Sequence, residues 1–199
     1  MKLKETLCVI GLIGLTTAIT SRVVSQDKPP SEYGQEMPQW MKYAMPGEQH
    51  KQLEPFVGRW EQTVKLWMEP GAEPGQSYGS AEYKWIMGGR FLQGTYEGQM
   101  QGNRFEGMDL IGYDNFRNMY NMFWIDSTST RWYTSRGRVT QDGSTLETYG
   151  SMDEPSMNEI GKPVRYVVRI IDDNTHVFEA WEVGGVEFKV FEITYKRSQ

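Results

Sequence analysis

Cysteine is nearly absent from this chain of 199 residues, in which Cys8 is the one thiol. Disulfides need cysteines in pairs, so no bridge within the chain can support the fold. Histidine is scarce as well, with only His50 and His176. A zinc site takes about four close ligands, chiefly cysteine and histidine. The composition therefore predicts no metal site and no cysteine nucleophile.

Enzyme signatures are also missing. The sequence has no Gly-x-Ser-x-Gly elbow, no phosphate-binding loop and no dinucleotide fingerprint. Each of these motifs would place a reactive or phosphate-binding group at a tight turn between a strand and a helix. The motifs therefore predict no catalytic residue and no cofactor.

Long apolar runs are missing too. The longest, residues 7–19, is shorter than the about 20 residues that a membrane-spanning helix takes. It follows the basic residues Lys2 and Lys4 and precedes small residues at 23–25, an order typical of a secretory signal peptide. We expect residues 1–25 to be removed on export, which leaves a periplasmic or secreted protein without a stable membrane span. The alternative is an uncleaved anchor.

The net charge excludes two kinds of partner. It is −5, and acidic and basic residues are interspersed along the chain. An acidic body repels nucleic-acid phosphates and anionic lipid headgroups. We therefore expect neither nucleic acid nor an anionic membrane as a partner. The charge gives no indication of the oligomeric state.

What the chain does have is a series of about ten short apolar-rich segments separated by turn signals such as Gly88-Gly89 and Asp142-Gly143. This series predicts an all-β fold, a single antiparallel up-and-down β-barrel of about ten strands, because closure removes the two exposed sheet edges. Long loops are expected at 69–77 and 153–162. The predicted strands are 59–68, 78–86, 91–100, 104–113, 119–127, 131–140, 145–151, 164–171, 175–183 and 186–196.

The residues before the first strand divide into two parts. Residues 26–45, rich in proline and polar side chains, are predicted to be a linker or a strap on the barrel surface, with a lid over its mouth as the alternative. Residues 46–56 are predicted to form one short helix, with Pro46 in its first turn and Pro55 limiting its length. The barrel domain is then expected to span residues 46–199.

Two of the predicted strands carry large apolar side chains on both faces. Trp124 shares one face of its strand with Asp126 and lies opposite Phe123, and Glu179 shares a face with Trp181. A sheet covered on one side only would not need this pattern, whereas a barrel with a partly apolar lumen would. Alternation alone leaves open which face of each strand points inward.

The segment Gly58-Arg59-Trp60 at the start of the first strand resembles the Gly-x-Trp signature of the lipocalin and fatty-acid-binding (calycin) superfamily. A longer ordered set resembles the bacterial domain-of-unknown-function family 1579 (DUF1579). The matching stretches are PGEQH (46–50), VGRW (57–60), WMEPG (67–71), GGRFL (88–92), EG (106–107), GYDN (112–115), WIDS (124–127), EFK (187–189) and EITY (192–195). The resemblance implies a lipocalin-like barrel and brings no activity with it.

The same resemblance bears on haem. Related haem-carrying barrels hold the haem through a histidine on a late strand, whereas the last predicted strand, 186–196, has none. We therefore expect no haem.

One candidate site lies around the predicted hairpin at 119–140. Trp124, Asp126, Trp132 and Arg136 gather there, and Asp126 is expected to approach Arg131 across the turn. An acid and a base at a barrel mouth can bind a polar head group while tryptophans take the apolar part of the ligand. The alternative is a solvated cross-strand pair that fixes the register.

Further candidates come from other strands. Asp109 interrupts an apolar run, and a buried acid there would have a raised pKa and could act as a general acid. Glu179 and Trp181 lie on a late strand, where Glu179 could pair with Asp109 or Asp126; ordinary solvated acids are the alternative. Tyr96 completes the set of expected ligand-binding residues.

The sequence thus predicts an exported, lipocalin-like binding protein for a small hydrophobic or amphipathic molecule. Two alternatives remain open. One is a barrel enzyme, of hydrolase or isomerase type, that uses lumen carboxylates. The other is an envelope interaction protein whose barrel is packed with side chains.

Overall fold

The structure is a computed structural model that describes residues 37–100 and 102–198, without the side chain of Ser156. The predicted signal peptide, 1–25, and residues 26–36 of the predicted linker lie outside the described residues. Within them, no helix is long and apolar enough to cross a bilayer.

Ten antiparallel strands close into one barrel. Each strand pairs with its neighbours along the chain, and β1 pairs with β10 to complete the ring. The fold class is therefore as predicted, because closure leaves no strand edge unpaired. The strands are β1 Gly58–Leu66, β2 Gly75–Ile86, β3 Phe91–Met100, β4 Asn103–Asp114, β5 Met119–Asp126, β6 Tyr133–Val139, β7 Thr145–Glu154, β8 Glu159–Asp172, β9 Thr175–Glu182 and β10 Phe188–Arg197.

The loop predicted at 153–162 is wrong. The β7–β8 ribbon continues to the pair Glu154–Glu159, and a 3₁₀ turn at Pro155–Met157 joins its two strands. Asn158 supports the turn with a φ of 56°, in the left-handed region that asparagine tolerates. The residues of this ribbon are polar because much of it is exposed. Its sequence therefore lacks the apolar alternation that marks the other strands.

The helix predicted over 46–56 is broken into shorter pieces. A separate helix, α1 at Gln39–Ala44, lies in the predicted linker, and within 46–56 the structure has α2 at Glu48–Lys51 and a 3₁₀ turn at Glu54–Phe56. Proline at position 55 has no N–H to donate, which favours the break after α2. Leu53 and Phe56 are buried against the barrel. These segments close one end of the barrel, here called the helical end; the opposite end is the far end.

Trp60 and Arg197 seal the helical end. The Trp60 indole N–H donates to the Phe56 carbonyl at 2.7 Å, and the Arg197 guanidinium lies 4.2 Å from the Trp60 ring centroid. Arg197 also donates to the Val57 and Pro55 carbonyls, both at 2.8 Å. A buried indole needs one acceptor for its N–H, and this arrangement supplies it.

The described part of the linker, from residue 38 onward, lies at the helical end. The Asn115 amide donates to the carbonyls of Tyr43 and Met45 at 3.0 and 2.8 Å. The Arg90 guanidinium donates to the Ala44 carbonyl at 2.9 Å. These contacts tie α1 to the β2–β3 and β4–β5 turns. The described residues of the segment therefore pack against the helical end of the barrel.

Candidate functional site

The barrel encloses a cavity of about 240 Å³. Its lining is mostly aromatic and aliphatic, with a few polar side chains among them. The lining residues are Phe56, Tyr83, Tyr96, Asp109, Ile111, Met122, Phe123, Trp124, Asp126, Tyr133, Thr134, Ser135, Leu146, Met152, Tyr166, Val168, His176, Phe178, Phe191, Ile193 and Tyr195. This combination is typical of small-molecule sites.

The structure settles which strand faces point inward. On β5 the face with Trp124 and Asp126 lines the cavity. On β9 the lining residues are His176 and Phe178, so Glu179 points to the outside of the barrel. The eight residues predicted to bind a ligand therefore separate into two groups. Tyr96, Asp109, Trp124 and Asp126 line the cavity, and Trp132, Arg136, Glu179 and Trp181 do not.

The polar end of the cavity is a chain of buried hydrogen bonds. The Gly94 N–H donates to Asp109 Oδ1 at 2.8 Å, and the Tyr96 hydroxyl donates to Asp109 Oδ2 at 2.7 Å. The hydroxyls of Tyr83 and Tyr96 lie 2.6 Å apart. The chain thus joins residues of three strands, β2, β3 and β4, around one carboxyl group. The Tyr195 ring of β10 lies beside it, with its centroid 6.4 Å from that of Tyr83.

Burial dominates the electrostatics of this chain. It raises the pKa of Asp109 to about 7, although the hydrogen bonds from Tyr96 and Gly94 oppose the rise. Burial also raises the pKa of Tyr83 and of Tyr96 well above the usual value. The tyrosines are therefore neutral donors near pH 7, while Asp109 can be protonated or ionised there.

Two glycines give the cavity its shape. A Cβ atom at Gly94 would lie 2.4 Å from Asp109 Oδ1, and one at Gly107 would lie 2.5 Å from Trp124 Cη2. Neither glycine has a positive φ, so space rather than backbone conformation requires them. Each of these glycines lies directly opposite an acidic residue of the cavity on the neighbouring strand: Gly94 opposite Asp109 and Gly107 opposite Asp126. Such glycines are the feature of the sequence that could have indicated the site.

The expected approach of Asp126 to Arg131 is wrong. Asp126 Oδ2 accepts from the Trp124 indole at 2.7 Å, and Oδ1 accepts from the Thr128 backbone N–H at 2.8 Å. Arg131 instead forms an ion pair with Asp153 on β7. The short turn after β5 makes Thr128 a nearer partner for Asp126 than Arg131. Asp126 therefore fixes the orientation of Trp124 at the far end.

Trp132 and Arg136 lie outside the cavity. Trp132 is 69% exposed in the loop before β6, and Arg136 is an exposed residue of β6. Arg136 occupies the strand face opposite to Ser135, which lines the cavity. The predicted cluster therefore keeps only Trp124 and Asp126 inside the barrel.

Glu179 forms a separate charged cluster on the outer surface. Its carboxylate accepts from Lys189 at 2.6 Å, from Arg169 at 2.9 Å and from the Trp181 indole at 3.2 Å. Burial acts to raise the pKa of Glu179, but the hydrogen bonds from these three donors lower it overall. The barrel wall separates Glu179 from Asp109 and Asp126, so the expected carboxylate pair does not form.

His176 is a lumen residue that the sequence reasoning missed. Its ring stacks on Tyr195 with centroids 4.1 Å apart and meets the edge of Trp60 at 4.3 Å. Burial, with a smaller contribution from the Arg197 charge, lowers the pKa of His176 to about 3. Its Nδ1 is buried without a hydrogen-bond partner among the described residues. The alternation of His176 with Phe178 and Ala180 was the available signal.

Haem is not expected from the sequence because the last strand has no histidine. The preceding strand, β9, nevertheless brings His176 into the lumen. Phe56 also packs against this ring, with centroids 5.0 Å apart. Among the described residues, no group of three or more histidine, cysteine and carboxylate side chains is placed to hold a metal ion.

The family model described as "Protein of unknown function (DUF1579)" matches residues 45–197. The chain therefore belongs to the DUF1579 family. No curated protein matches it significantly.

Two solved structures are similar to this barrel. Rv2717c from M. tuberculosis is 14% identical, with a TM-score of 0.56 over 78% of this chain and 100% of that chain. A redesigned β-barrel, b11L5F_LGL, is 12% identical, with a TM-score of 0.40 over 73% of this chain and 94% of that one. At 14% identity, Rv2717c supports the fold alone.

Proposed function

We propose that this protein binds a small, predominantly apolar molecule inside the barrel. The observation that carries the proposal is the cavity of about 240 Å³ with its aromatic lining. An engineered apolar cavity of about 150 Å³ holds one benzene molecule. The barrel therefore has room for one aromatic ring with a short chain, or for an aliphatic molecule of similar size.

The cost of an empty space supports the same function. Unfilled core volume destabilises a protein by about 24 cal/mol per Å³, which sets an upper limit on the order of 5 kcal/mol for this partly open cavity. Total stabilities are about 5–15 kcal/mol, so this cost is a large fraction of the whole. A ligand that fills the space recovers part of it. The same cavity disfavours the alternative of a barrel packed with side chains.

One observation favours an enzyme as the second candidate. The Asp109 carboxyl lines the cavity, and burial raises its pKa to about 7. A group with such a pKa can exchange a proton with a bound molecule near neutral pH. The pair of carboxylates that the hydrolase hypothesis used is lost, because Glu179 lies outside the barrel. A catalytic Asp109 would therefore act as a single acid or base.

Export to the periplasm or beyond remains part of the proposal. It is supported by the basic start and the apolar run of residues 1–25 alone. The lipocalin-like character is supported by the closed up-and-down barrel and the Trp60 seal at the helical end.

The test is native mass spectrometry of the protein purified from its host, with a pair of neighbouring variants on β10. Ile193 lines the cavity, whereas Thr194 points to the other face of the strand. We expect a small copurifying mass with the unmodified protein and with Thr194→Trp, and its loss in Ile193→Trp. Circular dichroism verifies that each variant keeps the barrel. A cavity that stays empty under all conditions, including soaking with apolar compounds, would refute ligand binding.

A further inference from the structure

The cavity contains a buried carboxyl group that has no basic side chain as a partner. Asp109 is 5% exposed, and its two hydrogen bonds within the described residues come from a backbone N–H and a neutral tyrosine. Among the described lining residues there is no lysine and no arginine. A buried carboxylate needs a positive partner to stay ionised and otherwise takes up a proton. An ionised Asp109 therefore has no counter-ion among the described lining residues.

The nearby basic side chains are engaged elsewhere. Arg197 donates to backbone carbonyls at the helical end, and Arg131 pairs with Asp153. Lys189 and Arg169 hold Glu179 on the outer surface. A ligand with a carboxylate head would meet Asp109 and find no positive charge in the lining. The cavity therefore disfavours fatty acids and other anionic amphiphiles.

Asp109 has acceptor capacity left for a ligand. A carboxylate offers about four lone-pair sites, and two are used, one by Gly94 and one by Tyr96. These same two bonds hold the carboxyl in place. The rings around it suit a cation as well, because the faces of tryptophan and tyrosine attract positive charge. Tyr96 meets the Trp124 ring at 4.9 Å, beside the carboxyl.

A second polar atom in the lining is left open. His176 is 3% exposed and lines the cavity, and its Nδ1 has no partner among the described residues. Buried polar nitrogens are rarely left unsatisfied in proteins. His176 therefore adds a second polar group that lacks a partner among the described residues.

We propose that the bound molecule is an apolar amine, a proposal that rests on ligand binding in the barrel. The ammonium group of the amine is held by Asp109, and its ring lies among the lumen aromatics. The cavity volume limits this amine to about the size of one ring and a short chain. The ammonium supplies the positive charge and the donors that the lining lacks.

The test is a series of ligands with one skeleton and different heads: 2-phenylethylamine, 2-phenylethanol, 3-phenylpropionate and propylbenzene. Binding is measured at pH 8 by calorimetry and by the change in intrinsic tryptophan fluorescence, to which Trp124 in the lining contributes. We expect the amine to bind about tenfold or more tightly than the hydrocarbon, since a charge-assisted hydrogen bond contributes that much. We expect the carboxylate not to bind. Asp109→Asn should abolish the preference for the amine and keep the binding of propylbenzene.

Glu106→Gln is the matched control, because it removes the same charge from an exposed side chain of the same strand, β4. It should leave the preference unchanged. If propylbenzene binds as tightly as the amine, or 2-phenylethanol does, the amine assignment is refuted while ligand binding stands. If none of the four compounds binds, the amine assignment is refuted, and ligand binding as such is decided by the mass-spectrometric test of the copurifying molecule.

Discussion

Asp109 makes the free energy of unfolding depend on pH in a direction opposite to that of most carboxylates. Its pKa is about 7 in the folded protein and 3.8 in the absence of perturbation. The folded state therefore holds a proton that the unfolded state has lost between these two values. The contribution of Asp109 to the free energy of unfolding is fully present below pH 3.8. It falls as the pH rises and is lost above pH 7.

The magnitude follows from the size of the shift. Each pH unit in the window changes the free energy of unfolding by about 1.4 kcal/mol. Between pH 5 and pH 8 the loss from Asp109 is on the order of 3 kcal/mol, because the fall stops near pH 7. Tyr83, Tyr96 and Tyr195 stay protonated throughout, because burial raises the pKa of each. His176 stays neutral, since its pKa is lowered to about 3.

The assay is urea unfolding of the ligand-free protein and of Asp109→Asn at pH 5 and at pH 8. Asparagine keeps an acceptor for the Gly94 N–H and cannot ionise. We expect the variant to gain on the order of 3 kcal/mol relative to the unmodified protein on going from pH 5 to pH 8. The comparison cancels the contributions of other carboxylates, which are common to both proteins. A difference that stays constant with pH would show that Asp109 has an ordinary pKa and that its isolation from positive charge is wrong.

Two further outcomes follow from the same geometry. Gly107→Ala should destabilise the barrel by about 1–3 kcal/mol in chemical denaturation, because the new Cβ atom would meet the Trp124 ring at 2.5 Å. Gly75→Ala is the control, since a Cβ atom there has no neighbour nearer than 3.9 Å. Glu179→Ala should cost about 1–2 kcal/mol, because it removes the charge-assisted hydrogen bonds from Lys189 and Arg169. It should leave ligand binding intact in a titration, since the outer cluster does not reach the cavity; lost binding would contradict that separation.

The strand order could be predicted because turn chemistry and alternation are local properties. Gly88-Gly89 forms a tight turn in which both glycines have positive φ, 66° and 80°. Such a turn joins neighbouring strands whatever the rest of the chain does. Closure then follows from the avoidance of free edges. The part of the β7–β8 ribbon at 153–162 is the exception, since this mostly exposed segment has no buried face to mark it.

The inward face could not be predicted, and this limited the candidate site. Each of the two faces of β9 presents aromatic and acidic side chains, so composition does not separate them. What decides is the partner strand: Glu179 lies opposite Glu192 on β10 and Val167 on β8, where Lys189 can reach it. Asp109 and Tyr96 were identified as candidates, but their link to Tyr83 and Tyr195 depends on the register of four strands.

An empty cavity and a buried acid without a cation are each unfavourable, and in this barrel they lie together. Replacing Asp109 with an apolar side chain would remove the second cost. The barrel instead makes room for this carboxyl group, because a Cβ atom at Gly94, its partner across the strand pair, would lie 2.4 Å from Oδ1. A single ligand with a positive head and an apolar body relieves both costs at once, because the head pairs the carboxylate and the body fills the space. Stabilisation by such a ligand should therefore exceed that by a hydrocarbon of equal volume, and the excess should vanish when Asp109 is made neutral.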